Sequence, residues 1–292
     1  MGNIAVNYLG IPLSSPIIAA SSALTSNLDN IKALEEAGAG AIVLKSLFEE
    51  QIYKLAGALE DCSVNYPENA DLLNNYVAGR EIGQYTDLIS QVKREVHIPV
   101  IASINCFDSG SWVSFAKEME RAGADALEIN IYSMPLSPGR TSDKIEREEL
   151  NIIREIASEI TIPISVKIGD NYSNLPEFVS ALRNSGAKGA VLFNSFYKPD
   201  IDIDKMSLVS ANPFSAQGSY VRELRWIAIC SSCIRGMDFS ATGGVLDPSD
   251  AVKLMLAGAT TVQLCSALYQ QGYGVLNLFN SFLFILCFSI RF

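Results

Sequence analysis

Eight short apolar runs in this sequence each end in residues able to bind or polarise something polar. In chain order the run ends are Ser21 with Ser22, Lys45 with Ser46, Asn105, Asn130, Lys167, Asn194 with Ser195, Thr242 with Gly243 and Gly244, and Ser266. Polar groups at the tips of buried runs are costly unless paired. Backbone capping accounts for one such residue; a bound polar ligand accounts better for all of them together. The residue types narrow the ligand. Asparagine donates and accepts at once, which suits the carbonyl and ring-nitrogen edges of a flat heterocycle, and a lysine stabilises negative charge developing on a ring. At "ATGGV" and "QLCSALYQQG", Gly243, Gly244, Cys265 and Ser266 offer backbone N–H groups that could converge on a phosphate, with a helix start behind them. After Asn130 the loop "IYSMPLSPG" has the prolines and glycine of a catalytic loop, but no Cys, His, Asp or Glu to move a proton.

The elements that must position these residues repeat along the chain. "EAGAGAIVLKS", "RAGADALEIN", "NSGAKGAVLFNS" and "LAGATTVQLCS" each join a helix-compatible segment, through Gly-Ala, to a nearly continuous apolar run. Glycine suits the left-handed angles of a helix end, and the run beyond suits a strand buried on both faces. "PIIAAS", "PVIASIN", "PISVKIG" and "DFSATGG" supply four more runs. Helical periodicity occupies 29–37, 85–95, 111–121, 143–158, 175–185, 221–232 and 248–257, the last with Asp247 as N-cap and Pro248 in the first turn. Eight strands alternating with helices predict an α/β protein, a single (β/α)8 TIM barrel, whose site lies at the strand C-terminal ends. Two connections, 47–84 and 196–220, are long enough to cover that site.

Composition excludes several classes. With 292 residues and a net charge of -10, the chain repels polyanions, so no nucleic-acid partner is expected. The six cysteines are scattered, and the N-terminal residues lack the basic and apolar regions of a signal peptide. A reduced, cytoplasmic protein is expected. Cys230 and Cys233 form a lone CxxC beside a single histidine, His97, so no metal site is expected. Residues 1–274 make one domain in this reading. The remainder, 275–292, is an atypical tail whose "VLNLFNSFLFILCFSIRF" carries no charge before Arg291. Its uninterrupted run from Phe282 to Phe288 is too short to span a bilayer. The tail reads as a departure from the barrel pattern after about Leu276, as an altered terminus or frameshift would produce. It is an aggregation liability unless an oligomer buries it.

Over nearly its whole length, from "LGIPLSSPIIAASSALT" to "AGATTVQLCSALYQQG", the sequence resembles the FMN-dependent dihydroorotate dehydrogenases, in particular the soluble class 1 type. The specific pieces are "LKS", "EIN…PLSPG", "SVKI", "FNS", "TGGV" and "VQLCSALYQQG". The resemblance implies FMN at the barrel mouth, with Lys167 near the flavin N1–C2 edge. Ser21, Lys45, Ser46, Asn105 and Asn130 would contact the flavin, and Gly243, Gly244, Cys265 and Ser266 its phosphate. Lys45, Asn130, Asn194 and Ser195 would contact a dihydroorotate-like ring. It also implies a homodimer. Two positions depart from the family. The cysteine base of class 1 corresponds to Met134, leaving Ser133 as the candidate base, with no activating partner legible in the sequence. The Asn-rich substrate segment is replaced by "CSVNYPENADLLNNYVAGR".

The leading expectation is therefore an FMN-dependent oxidoreductase in pyrimidine biosynthesis, oxidising dihydroorotate or a related ring, with Lys45, Lys167 and Ser133 as its catalytic residues. The alternatives are a flavin-binding barrel without that activity, and a non-redox phosphate-binding lyase or isomerase using Glu128 and Lys167.

Overall fold

The computed structural model describes residues 4–49, 69–106, 109–131, 133, 138–195 and 199–289, of which 69–78, 109, 288 and 289 are described by their backbone alone. An antiparallel hairpin, β1 (Val6–Tyr8) with β2 (Ile11–Leu13), comes first. The apolar runs follow as β3 (Ile17–Ala19), β4 (Ala41–Val43), β6 (Val100–Asn105), β7 (Ala126–Asn130), β8 (Ile164–Ile168), β9 (Gly189–Leu192), β12 (Asp238–Thr242) and β13 (Thr261–Leu264). All neighbours pair in parallel. The ring closes through Ile42 opposite Val100 and Val262 opposite Ile17, so the eight strands form the barrel that the repeat predicts. A two-residue strand, β5 (Leu47–Phe48), extends the pairing of β6 beyond the ring. A second hairpin, β10 (Pro199–Asp202) with β11 (Ser207–Ser210), stands in the long connection after β9.

Helices α1 (Leu28–Glu36), α2 (Asn69–Glu95), α3 (Ser109–Arg121), α4 (Ser142–Glu159), α5 (Leu175–Asn184), α6 (Val221–Cys233) and α7 (Pro248–Leu256) surround the ring. The glycines of the four repeats, Gly38, Gly123, Gly186 and Gly258, all have positive φ. Each turns the chain from a helix end towards the next strand, at angles a side chain would strain. Asp247 caps α7 as expected, accepting from Ser249 N at 2.8 Å, with Pro248 in the first turn.

Strand alternation divides the interior. Residues such as Leu127, Ile129, Val166 and Ala241 face the helices in one apolar cluster. On the other face, Tyr8, Leu9, Leu13, Ile18, Val43 and Ile101 form a smaller cluster in which the first hairpin packs against strands of the ring. Leu9 N donates to Asp238 Oδ2 at 2.6 Å and fixes that hairpin to the start of β12. Farther along the barrel the buried side chains turn polar: Ser103, Glu128, Ser165, Lys167, Ser240, Thr261 and Gln263.

After α8 (Ser266–Gln271), the tail residues Val275–Ser289 form helix α9. Leu276, Phe279 and Leu283 are buried, whereas Leu278, Phe282, Phe284 and Ile285 are exposed. Asn280 donates to Gly38 O at 2.7 Å and accepts from Ser15 Oγ at 2.6 Å, tying the helix to the barrel. Among the described residues no helix is long and apolar enough to cross a membrane.

Candidate active site

Lys167 lies on the inward face of β8, two residues beyond Ser165, and is only 8% exposed. Beneath it is Glu128 of β7, whose Oε1 is 3.9 Å from Lys167 Nζ and whose Oε2 accepts from Gln263 Nε2 at 2.8 Å. Glu128 Oε1 and Gln263 Oε1 have no hydrogen-bond partner among the described residues. The lysine is thus held over a buried carboxylate, and its ammonium forms part of the wall of the mouth.

Three adjoining cavities occupy that mouth. One of about 190 Å³ is lined by Ser21, Lys45, Ser46, Asn130, Lys167 and Asn194 among others. A second, of about 170 Å³, shares Ser21, Lys167 and Asn194 with it and runs to Gly243, Gly244, Cys265 and Ser266. The run ends selected from the sequence therefore line this cleft, except Asn105, which is tied to it through its bond to the Asn130 carbonyl. Asn130 is oriented from two sides: its carbonyl accepts from Asn105 Nδ2 at 2.9 Å, and its Oδ1 accepts from Asn194 Nδ2 at 2.7 Å. Ser46 N donates to Ser21 Oγ at 2.9 Å, and Ser46 Oγ lies 2.7 Å from Ser103 Oγ. Behind them Tyr85, on α2, accepts from Ser103 N at 2.9 Å and donates to Ser103 O at 3.1 Å. Burial holds its phenol protonated. Lys45 is the exposed member of the group, and Ser195 is also exposed.

The glycine pair is geometrically committed. A Cβ on Gly244, which has a φ of 71°, would lie 2.4 Å from Tyr220 N and 2.3 Å from Ser219 Oγ. Ser266 Oγ accepts from Ser215 N at 3.0 Å and fastens the long connection across this end of the cleft. Burial pushes the Cys265 thiol up, opposed by the charge of Lys167 and by the nearby Ser22.

A third cavity, of about 370 Å³, opens beyond the glycines and is lined by Asp170, Phe193, Ser219, Arg222 and Glu223 among others. Arg222 bridges Asp170 and Glu223 at 2.8 Å each and lies over the Phe193 ring. Burial pushes the Glu223 carboxyl up, and its Oε2 has no hydrogen-bond partner among the described residues. The sequence reading missed these residues. Asp170 at the tip of "SVKIGD" was the available signal; Arg222 and Glu223 look like ordinary first-turn helix charges. Ser133 lines none of the three cavities; it lies near Glu149, whose ionised form it favours. Met134, Asn65 and the side chains of Asn69, Asn74 and Asn75 lie outside the described residues.

Residues 3–280 match the sequence profile of the family described as dihydroorotate dehydrogenase. The chain belongs to the dihydroorotate dehydrogenase family. It is 30% identical over 288 residues to a protein of Thermoplasma volcanium named dihydroorotate dehydrogenase B (NAD(+)), catalytic subunit, covering 94% of this chain and 90% of the relative. Proteins of the same name from Methanocaldococcus jannaschii and Pyrococcus abyssi are 24% and 27% identical, over 92% of this chain in each case and 88% and 89% of theirs. In the frame of a dihydroorotate dehydrogenase, the cleft places two lysines and a pair of hydrogen-bonded asparagines beside a glycine-lined extension. Such a surface can hold a planar, partly anionic ring at one end and an anionic group at the other.

Proposed function

We propose that this chain oxidises dihydroorotate to orotate with FMN bound in the cleft. The observation that carries the reading is the continuity of the two cavities, which join Lys45, Asn130, Lys167 and Asn194 to Gly243, Gly244, Cys265 and Ser266. The residues fit the cofactor. Gly244 lines the cleft at a position where a Cβ would collide with Ser219 and Tyr220, and Lys167 supplies a fixed cation.

In this reading Gly243, Gly244, Cys265 and Ser266 would hold the phosphate, and Ser21, Ser46 and Asn105 would border the flavin ring. Lys167 would place its positive charge beside the bound ring and favour negative charge there. FMN, when bound, supplies the hydride acceptor. Lys45 draws in the substrate carboxylate, and Asn130, Asn194 and Ser195 orient the substrate ring. Asn130 needs little reorganisation, because both of its bonds to neighbouring asparagines are already made. Ser133, three residues beyond Asn130, is the candidate to take the substrate proton, although it lines none of the three cavities.

The names of the relatives support a further part of the reading, that the chain works as a catalytic subunit beside a partner. Its own assembly in this reading is a homodimer. Reconstitution with FMN followed by anaerobic addition of dihydroorotate tests the activity. Bleaching of the flavin band supports it, and a band that stays oxidised with FMN bound contradicts it.

A further inference from the structure

Glu128 is only 1% exposed and lines none of the three cavities, yet it is paired with the one lysine that is buried among the described residues. In the register of β7 with β8, Glu128 lies opposite Ser165, and Asn130 opposite Lys167. The carboxylate therefore sits on the same inward face as the ammonium, one layer of side chains deeper in the barrel. Lys167 itself lines both cavities of the cleft. A ligand there meets the ammonium, and the carboxylate acts on that ammonium from behind.

The geometry is not that of a pair built for stability. A buried ion pair repays its desolvation only through close contact and satisfied lone pairs. Here Lys167 Nζ stays 3.9 Å from Glu128 Oε1, and that oxygen has no hydrogen-bond partner among the described residues. The other oxygen accepts from Gln263 Nε2 at 2.8 Å. A neutral donor on β13 thus fixes the carboxylate and leaves its second oxygen to the ammonium.

We propose that Glu128 is a positioning residue that sets, through Lys167, how strongly the cleft favours negative charge on the bound ring. The inference rests on the FMN reading of the cleft. A hydride from the substrate carries two electrons and one proton, so a neutral ring that accepts it becomes a monoanion. A lone ammonium in a site shielded from water would hold that anion tightly. A carboxylate 3.9 Å behind the ammonium offsets part of its field. The ring that takes the hydride can then also lose its electrons again in turnover. Other charges near the mouth do not serve this purpose. Lys45 is exposed, where water and salt screen it. Asp170 and Glu223 are engaged by Arg222 at the third cavity. Among the described residues, Glu128 is the one acidic side chain paired with Lys167.

The test is a potentiometric titration of the FMN-loaded wild type and Glu128→Gln against a reference dye. The Kd of oxidised FMN is followed in parallel by fluorescence. Dihydroorotate is absent from both measurements, so the result does not depend on the substrate. Removing the carboxylate leaves the Lys167 charge unopposed, and the reduced anion gains more from this than the neutral oxidised ring. The ratio of affinities, reduced over oxidised, should rise at least about tenfold, which for a two-electron couple is a potential about 30 mV higher. The oxidised Kd should stay within about twofold of wild type, which general damage to the cleft would not allow. A smaller rise, a fall, or a rise obtained only through weaker binding of the oxidised ring overturns the proposal. If Glu128→Gln does not retain FMN, Glu128→Asp is read instead. Withdrawing the charge by one methylene should raise the ratio at least about twofold. A smaller change, or loss of FMN from this variant as well, overturns the proposal. A wild type that does not bind FMN defeats the cofactor reading and the proposal together. A wild type that binds it, with the ratio unmoved in Glu128→Gln, defeats the proposal alone.

Discussion

Lys167 and Gly244 carry the two ends of the cleft, and each can be removed by a single substitution. Lys167→Met takes away the cation and leaves Glu128 buried with only Gln263 bonded to it. The expected result is flavin reduction slower by about 100-fold. Stability should also fall by about 3 kcal/mol, read from urea midpoints, as expected when one partner of a buried pair is deleted. Adding Glu128→Gln should recover part of that stability and none of the rate. Gly244→Ala forces a Cβ to within 2.4 Å of Tyr220 N at a φ of 71°. It should cost about 1–3 kcal/mol and weaken FMN binding in a fluorescence titration. At this scale much of the site was legible, because Lys45, Lys167, the asparagines and the glycine pair all sit at strand tips. Glu149 and Glu223 were not legible. Both occur in helices that look amphipathic and solvated, and only the packing of distant loops shows that they are buried.

The strands and most helices could be read because the same Gly-Ala junction punctuates the chain four times. The helix preceding β6 was expected to begin near residue 85, yet α2 begins at Asn69. The segment "NADLLNNYVAGREIGQ" is rich in asparagine and contains two glycines, which are weak helix formers. The hairpin β10–β11 was likewise not anticipated within the long 196–220 connection, and it leaves Ile201, Ile203, Met206 and Leu208 exposed. The C-terminal tail shows how one missing signal hides a helix. Without charges there is no polar face to mark, but α9 still buries Leu276, Phe279 and Leu283 and anchors itself through Asn280. Asn280→Ala removes bonds to Gly38 O and Ser15 Oγ and should lower stability by about 1–3 kcal/mol. Deleting residues 275–292 should cost more than this, which a comparison of thermal melting temperatures would show.

For the whole molecule, buried carboxyls link folding to pH. Burial raises Glu149 and Glu223 above the ordinary 4.5. From that value up to their folded pKa values, the folded chain holds protons that the unfolded chain has released. The contribution of each to stability is therefore most favourable below pH about 4.5 and declines as pH rises through the folded pKa. Glu95 and Glu120 are lowered and act with the opposite sign, so the informative quantity is the difference between variant and parent. Denaturant midpoints measured across this window should fall less steeply with pH in Glu223→Gln than in the parent, and parallel curves would contradict the assignment.

The central claim joins the barrel mouth, the cofactor and the substrate, and one anaerobic titration addresses all three. The FMN-loaded protein is titrated with dihydroorotate while its visible absorption is recorded. Stoichiometric loss of the flavin band, with orotate recovered from the solution, is the predicted result. A flavin that remains fully oxidised in saturating dihydroorotate would contradict it.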